Sequence, residues 1–107
     1  MKLYTSVGPN PRVVNMFMLE RGIEIEKVEI DIMAGDNLND EYKKLNPSAQ
    51  SPCLVLDSGM ALAESTVICS YLDETADGDS LVGATPEERA ETRMWSRRID
   101  GKILEPL

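Results

Sequence analysis

The chain has 107 residues, 42% of them hydrophobic and 28% charged, the ordinary balance of one folded domain with a modest core. Its formal net charge of −8 argues against phosphate backbones and anionic membrane surfaces, so neither nucleic acid nor a membrane is expected as a partner. A small anionic ligand stays open, because it responds to local dipoles rather than to total charge.

Residues 2–6 read as a short strand, and Val7-Gly8-Pro9-Asn10-Pro11 as the turn that leaves it. Asn10 followed by Pro11 predicts a helix start, with Asn10 as the cap and Pro11 at the first helical position. Val13, Val14, Phe17 and Met18 recur at helical spacing, and Gly22 stops the helix by accepting a left-handed backbone. Residues 23–32 alternate apolar and charged, which predicts a half-buried strand parallel to the first. Residues 40–45 form a short, mostly exposed helix ended by Asn46-Pro47. Residues 53–56 and 60–62 are the arms of a hairpin turning at Asp57-Ser58-Gly59. Glu64 or Ser65 opens the next helix, with Val67, Ile68, Tyr71 and Leu72 on its buried face. The acidic stretch 74–83 reads as a solvated linker. Thr85-Pro86-Glu87-Glu88 is a capping box, and Ala90, Met94, Trp95, Ile99 and Ile103 then keep helical spacing almost to Leu107.

The resulting order is β-α-β-α-β-β-α, then a linker and one more helix: an α/β chain with a small mixed sheet in a thioredoxin-like arrangement. Cys53 and Cys69 fall in core elements with no CxxC spacing and read as two buried, reduced thiols. With no His and only this scattered pair, no structural metal is expected. The two reduced thiols point to a cytoplasmic location; the opening residues 1–9 hold too short an apolar stretch for a secretory signal, and no later run could span a bilayer.

Two segments carry chemistry. In Gln50-Ser51-Pro52-Cys53-Leu54 a proline starts a strand; were its peptide bond cis, the chain would turn back and present the N–H and C=O of Ser51 to an extended peptide. In Ala63-Glu64-Ser65-Thr66 a helix start supplies N–H groups and a hydroxyl for a carboxylate, and an anion for an ammonium. Together they suit a molecule with both a peptide backbone and free amino-acid ends, such as glutathione. Each segment also has a plainer reading, as a helix cap and as a proline that begins a strand.

The ordered set of Lys2-Leu3-Tyr4, Asn10-Pro11-Arg12-Val13-Val14, Asn46-Pro47, Ser51-Pro52-Cys53-Leu54, Leu62-Ala63-Glu64-Ser65, Ile68-Cys69-Ser70-Tyr71-Leu72 and the segment around Trp95 resembles the N-terminal part of a soluble glutathione transferase. The resemblance covers the whole chain. It implies a glutathione-binding domain over residues 1–79, and over 80–107 a linker and the first helix of an all-helical second domain. It implies that Glu64 and Ser65 hold the γ-glutamyl end, that Ser51 before Pro52 pairs with the cysteinyl backbone, and that Gln50 lies toward the glycyl side. Glutathione would be the co-substrate, with no other cofactor. An electrophilic small molecule would accept its thiolate, in detoxification chemistry, and the intact protein would be a homodimer. Glutathione-dependent disulfide reduction and a non-catalytic binding or regulatory role are the alternatives.

The catalytic turn departs from the family pattern. Serine-type members keep a hydroxyl where this chain has Val7 or Gly8. Pro9-Asn10 is similar to the nu-class turn, whose Asn amide binds the glutathione sulfur, but Gly8 stands where that class has a Thr. Asn10 and Ser6 are the candidate donors to the thiolate, Asn10 reading equally as a cap and Ser6 as a strand-end residue. Tyr4 reads as core.

Overall fold

The computed structural model describes residues 1–47 and 49–104, the last two by backbone alone. Its residues fall into two compact units, Met1–Ala76 and Asp77–Leu107. The first unit runs β1 (Lys2–Thr5), α1 (Pro9–Arg21), β2 (Glu26–Glu29), a 3-10 turn (Asp36–Leu38), α2 (Asp40–Leu45), β3 (Cys53–Val55), β4 (Ala61–Ala63) and α3 (Ser65–Thr75). The sheet order is β2-β1-β3-β4, with β1 and β2 parallel and the other pairs antiparallel. This is the expected α/β, thioredoxin-like order.

Alternation along the strands builds two cores. Leu3 pairs with Leu54, and Leu54 with Leu62, on the face that meets Val14 and Met18 of α1 and Ile68 and Leu72 of α3. Tyr4 pairs with Cys53 on the opposite face, where Ile30 and Tyr42 cover them. Period-two alternation delivers successive side chains to opposite sides, so one four-residue strand serves both layers. Full burial of each large aliphatic is worth about 1.5–3 kcal/mol.

Several expectations are corrected. The second strand is Glu26–Glu29 rather than 23–32, because this edge strand pairs only with the four residues of β1. The buried face of α3 is Ile68, Cys69, Leu72 and Asp73; Val67 is exposed and Tyr71 only partly buried. On α1, Val14 and Met18 are buried but Val13 is exposed. The short helix α2 is mostly exposed, as expected, with Tyr42 the exception: it is 5% accessible and packs its ring 5.6 Å from that of Tyr4. Gly22 does end α1 in the left-handed conformation, at φ 67°.

The second unit holds α4 (Pro86–Ile99) and a π-type turn (Asp100–Leu104). Thr85 caps α4 by accepting from Glu88 N–H at 3.1 Å, as its capping box predicts. The preceding segment is not simply solvated. Ser80 Oγ accepts from the N–H groups of Val82 and Gly83, and Thr92 Oγ1 donates to the Val82 carbonyl at 2.6 Å. Gly83, at φ 141°, lies so close to α4 that a Cβ would sit 2.8 Å from Arg89 N. Met94, Trp95 and Ile99 are exposed along α4; the side chain of Ile103, and Leu107 altogether, lie outside the described residues. Among the described residues no helix is long and apolar enough to cross a membrane.

Candidate functional site

Strand direction gathers the candidate residues at one end of the sheet. β1 ends at Thr5, β3 begins at Cys53 and β4 ends at Ala63, and the registers Tyr4 with Cys53 and Cys53 with Ala63 align those three ends. Continuing the first register sets Thr5 opposite Pro52 and Ser6 opposite Ser51. Glu64 and Ser65 follow directly from the end of β4, and the turn to α1 follows directly from Ser6. Six of the seven candidates, Ser6, Gln50, Ser51, Pro52, Glu64 and Ser65, thus share one rim, with Asn10 on the helix that starts there.

The Ser51–Pro52 peptide bond is cis, and Pro52 is buried behind it. Neither backbone group of Ser51 has a partner among the described residues. Ser6 Oγ and Ser51 Oγ are both buried without a hydrogen-bond partner among the described residues. Buried hydroxyls ordinarily find partners, so each of these is a polar group that the surrounding fold leaves unsatisfied. The side chain of Gln50 is exposed.

Glu64 occupies the cap position of α3 without using its side chain as a cap, at φ 74° and ψ 122°. That backbone region suits glycine and strains an L-residue. The first bond of α3 runs from Ile68 N–H to the Glu64 carbonyl at 3.0 Å. The N–H groups of Ser65, Thr66 and Val67 are therefore left without a helical partner, at the positive end of the macrodipole. An ordinary cap would have satisfied one of them; here the helix start stays open beside a carboxylate. Such a place can hold a carboxylate and an ammonium about one residue apart.

The start of α1 differs from the sequence expectation. Asn10 is not the cap: the helix begins at Pro9, so the cap falls on Gly8, which has no side chain to bond with. Gly8 adopts φ 150°, a conformation that L side chains rarely take, which accounts for a glycine where the nu-class turn has Thr. Pro9 and Pro11 lack N–H groups, and Arg12 N–H bonds the Gly8 carbonyl at 3.2 Å. The first turn of α1 therefore keeps a single outward N–H, that of Asn10, whose side chain is also exposed. One residue holds both donors.

Three residues that bond around this rim have weak sequence signals. Asn15 on α1 donates from Nδ2 to Thr5 Oγ1 at 3.2 Å, while its Oδ1 is buried without a partner among the described residues. An Asn beside the buried Val14 in an otherwise apolar helical stripe is the only hint of that role. Tyr42 O–H donates to the Gln50 carbonyl, and Asn46 Nδ2 donates to the same oxygen at 2.6 Å. Neither residue looks functional in a stretch as polar as 40–46.

The thiols are not part of the site. Cys53 and Cys69 are free and buried, and burial pushes both above the usual thiol value, Cys69 to about 11. Both stay protonated and shielded at neutral pH.

The family model described as glutathione S-transferase, N-terminal domain, matches residues 7–75. The chain is 39% identical to Protein LigF of a Sphingobium strain, over 94% of this chain and 40% of that protein. It is 30% identical to Glutathione S-transferase 2 of Saccharomyces cerevisiae, over 96% of this chain and 45% of that one. The crystal structure of a glutathione S-transferase domain-containing protein from Marinobacter aquaeolei superposes with a TM-score of 0.91 at 36% identity, covering 98% of this chain and 53% of that one. The chain thus spans less than half the length of either curated relative.

Proposed function

This chain belongs to the glutathione S-transferase family, and we propose that it is the glutathione-binding part of a transferase that directs the thiolate of bound glutathione at an electrophilic small molecule. The observation that carries the reading is the open start of α3, with three N–H groups lacking helical partners beside Glu64, whose backbone is strained. Those donors and Ser65 hold the γ-glutamyl carboxylate, and Glu64 holds its ammonium. The backbone of Ser51 exchanges hydrogen bonds with the cysteinyl unit as an added strand would, and the glycyl end lies toward Gln50.

That pose directs the sulfur to the rim between Ser6 and the start of α1. The backbone N–H and side-chain amide of Asn10 donate to the thiolate, with Ser6 Oγ as a second donor. A free thiol has a pKa of about 8.5, and a lowering of about two units would leave it mostly ionised at pH 7. The thiol proton passes to solvent, the sulfur forms a bond to the electrophilic carbon, and the leaving group departs with the electron pair.

The test is titration of glutathione into the intact protein by calorimetry, with Ser65→Ala alongside. Binding in the wild type and about tenfold weaker binding in S65A are expected, since a hydrogen bond to a charged group is worth about 1.5–3 kcal/mol. No heat at millimolar glutathione would sink the reading.

The same proposal includes a cytoplasmic location and a homodimer. The exposed row of Met94, Trp95 and Ile99 on α4 supports an interface, because clustered apolar side chains on a helix need a cover. Light scattering on the intact protein should give twice the chain mass; a monomer at all concentrations would remove the dimer from the proposal.

A further inference from the structure

The segment that precedes Pro52 is held from behind by side chains of the α2 region. The Gln50 carbonyl accepts from Tyr42 O–H and from Asn46 Nδ2, and the neighbouring Ala49 carbonyl accepts from Asn37 Nδ2 at 3.0 Å. Tyr42 and Asn46 are 5% and 4% accessible, so their donors have little water to turn to. A carbonyl oxygen has two acceptor positions, and both donors converge on this one. Ala49 itself adopts φ 57°, a left-handed conformation that Ala does not choose unaided. The Ala49 N–H also donates to the Asn46 carbonyl at 2.9 Å, so a backbone turn and these side-chain bonds together set the path of this loop. Burial raises the Tyr42 phenol above its usual value, so it remains a donor throughout the physiological range.

We infer that Tyr42 and Asn46 are positioning residues for ligand binding: by clamping the Gln50 carbonyl from the far face of the sheet, they turn the next peptide unit, that of Ser51, outward to meet the ligand backbone. The inference rests on the reading of Ser51 as the partner of the cysteinyl unit. It assigns to Tyr42 of α2 and to Asn46 just after it a role in affinity exerted through the Gln50 carbonyl. With the clamp gone, the Gln50 carbonyl is free to rotate, and the Ser51 N–H and C=O lose their fixed direction. Preorganisation of a peptide-binding segment is worth affinity because the ordering need not be repeated at each binding event.

The test compares glutathione affinity by calorimetry in the intact wild-type protein and in Tyr42→Phe, Asn46→Ala, the double variant and Ile30→Val. Y42F keeps the ring against Tyr4 and removes only the donor. I30V trims the same apolar cluster without touching the clamp and controls for simple loosening. Each single variant leaves the carbonyl one donor, so losses of about three- to fivefold are expected. The double variant should lose at least thirtyfold, more than the product of the singles, because the two donors share one acceptor. I30V should melt earlier and bind as the wild type does. Wild-type affinity in a folded Y42F, N46A or double variant would overturn the positioning roles while leaving the glutathione site standing. Equal losses in I30V and Y42F would also overturn them, since loosening alone would then account for the effect. Should the double variant not fold, the contrast between Y42F and I30V decides. Absence of glutathione binding in the wild type itself would overturn both this inference and the function it rests on.

Discussion

Asp73→Ala is expected to lower the unfolding free energy by about 3–5 kcal/mol, the range for removing one partner of a buried ion pair. Arg21 Nε donates to Asp73 Oδ1 at 3.0 Å with side-chain accessibilities of 4% and 3%, so the guanidinium left behind could not recover water. The same Arg21 donates from Nη2 to the carbonyls of Asp73 at 3.1 Å and Ala76 at 3.4 Å. It is the last residue of α1, and α3 has no basic residue in its own last turn, so Arg21 supplies the cation that the negative end of α3 lacks. The loss is large against a total stability of about 5–15 kcal/mol, and the variant should be unfolded over much of the temperature range in which the wild type is native. Urea denaturation of the intact protein checks this, and a change below about 1 kcal/mol would show that the pair is dispensable. Replacing both partners, Arg21→Met with Asp73→Leu, should recover much of the loss, because a buried pair roughly offsets its own desolvation.

Glu64→Gly should move stability and binding in opposite directions. At φ 74° and ψ 122° the Glu64 backbone is strained, and such strain costs of order 1–3 kcal/mol. Glycine relieves it but brings more conformational freedom to the unfolded chain, an opposing effect of about 0.4–1 kcal/mol. A net gain near 1 kcal/mol is therefore expected, read as a higher urea midpoint. Glu64→Ala keeps the strain and should show no gain. Glutathione binding should weaken by ten- to a hundredfold in both variants, because each removes the carboxylate proposed to hold the ammonium. A glycine variant that loses stability and binds as before would remove both the strain argument and the γ-glutamyl assignment.

The determinants legible in the sequence were those whose cause lies within a few residues. Gly22 ends α1 by its own backbone freedom, Thr85 and Glu88 cap α4 within one turn, and Asp57-Ser58-Gly59 turns the hairpin. The order of elements followed from such marks. So did the placing of Gln50-Ser51-Pro52 and Glu64-Ser65 at one end of the sheet, because strand direction brings the starts and ends of neighbouring strands to a common rim.

Tertiary structure decided what depends on distant partners. Asp73 is buried because Arg21, fifty-two positions earlier, meets it, and this turns the buried face of α3 toward Cys69 and Asp73 and away from Val67. Tyr42 and Asn46 lie near Gln50 in sequence, but two polar side chains in a polar stretch do not reveal that the folded loop brings both onto one carbonyl. The second strand is short because an edge strand extends only as far as its neighbour pairs with it. At the start of α1, Asn10 and Pro11 suggested one cap, while the helix itself begins at Pro9 and moves the cap to Gly8. Composition and spacing record local backbone preference, whereas burial, register and the choice between competing caps are set by whichever packing satisfies the most groups at once.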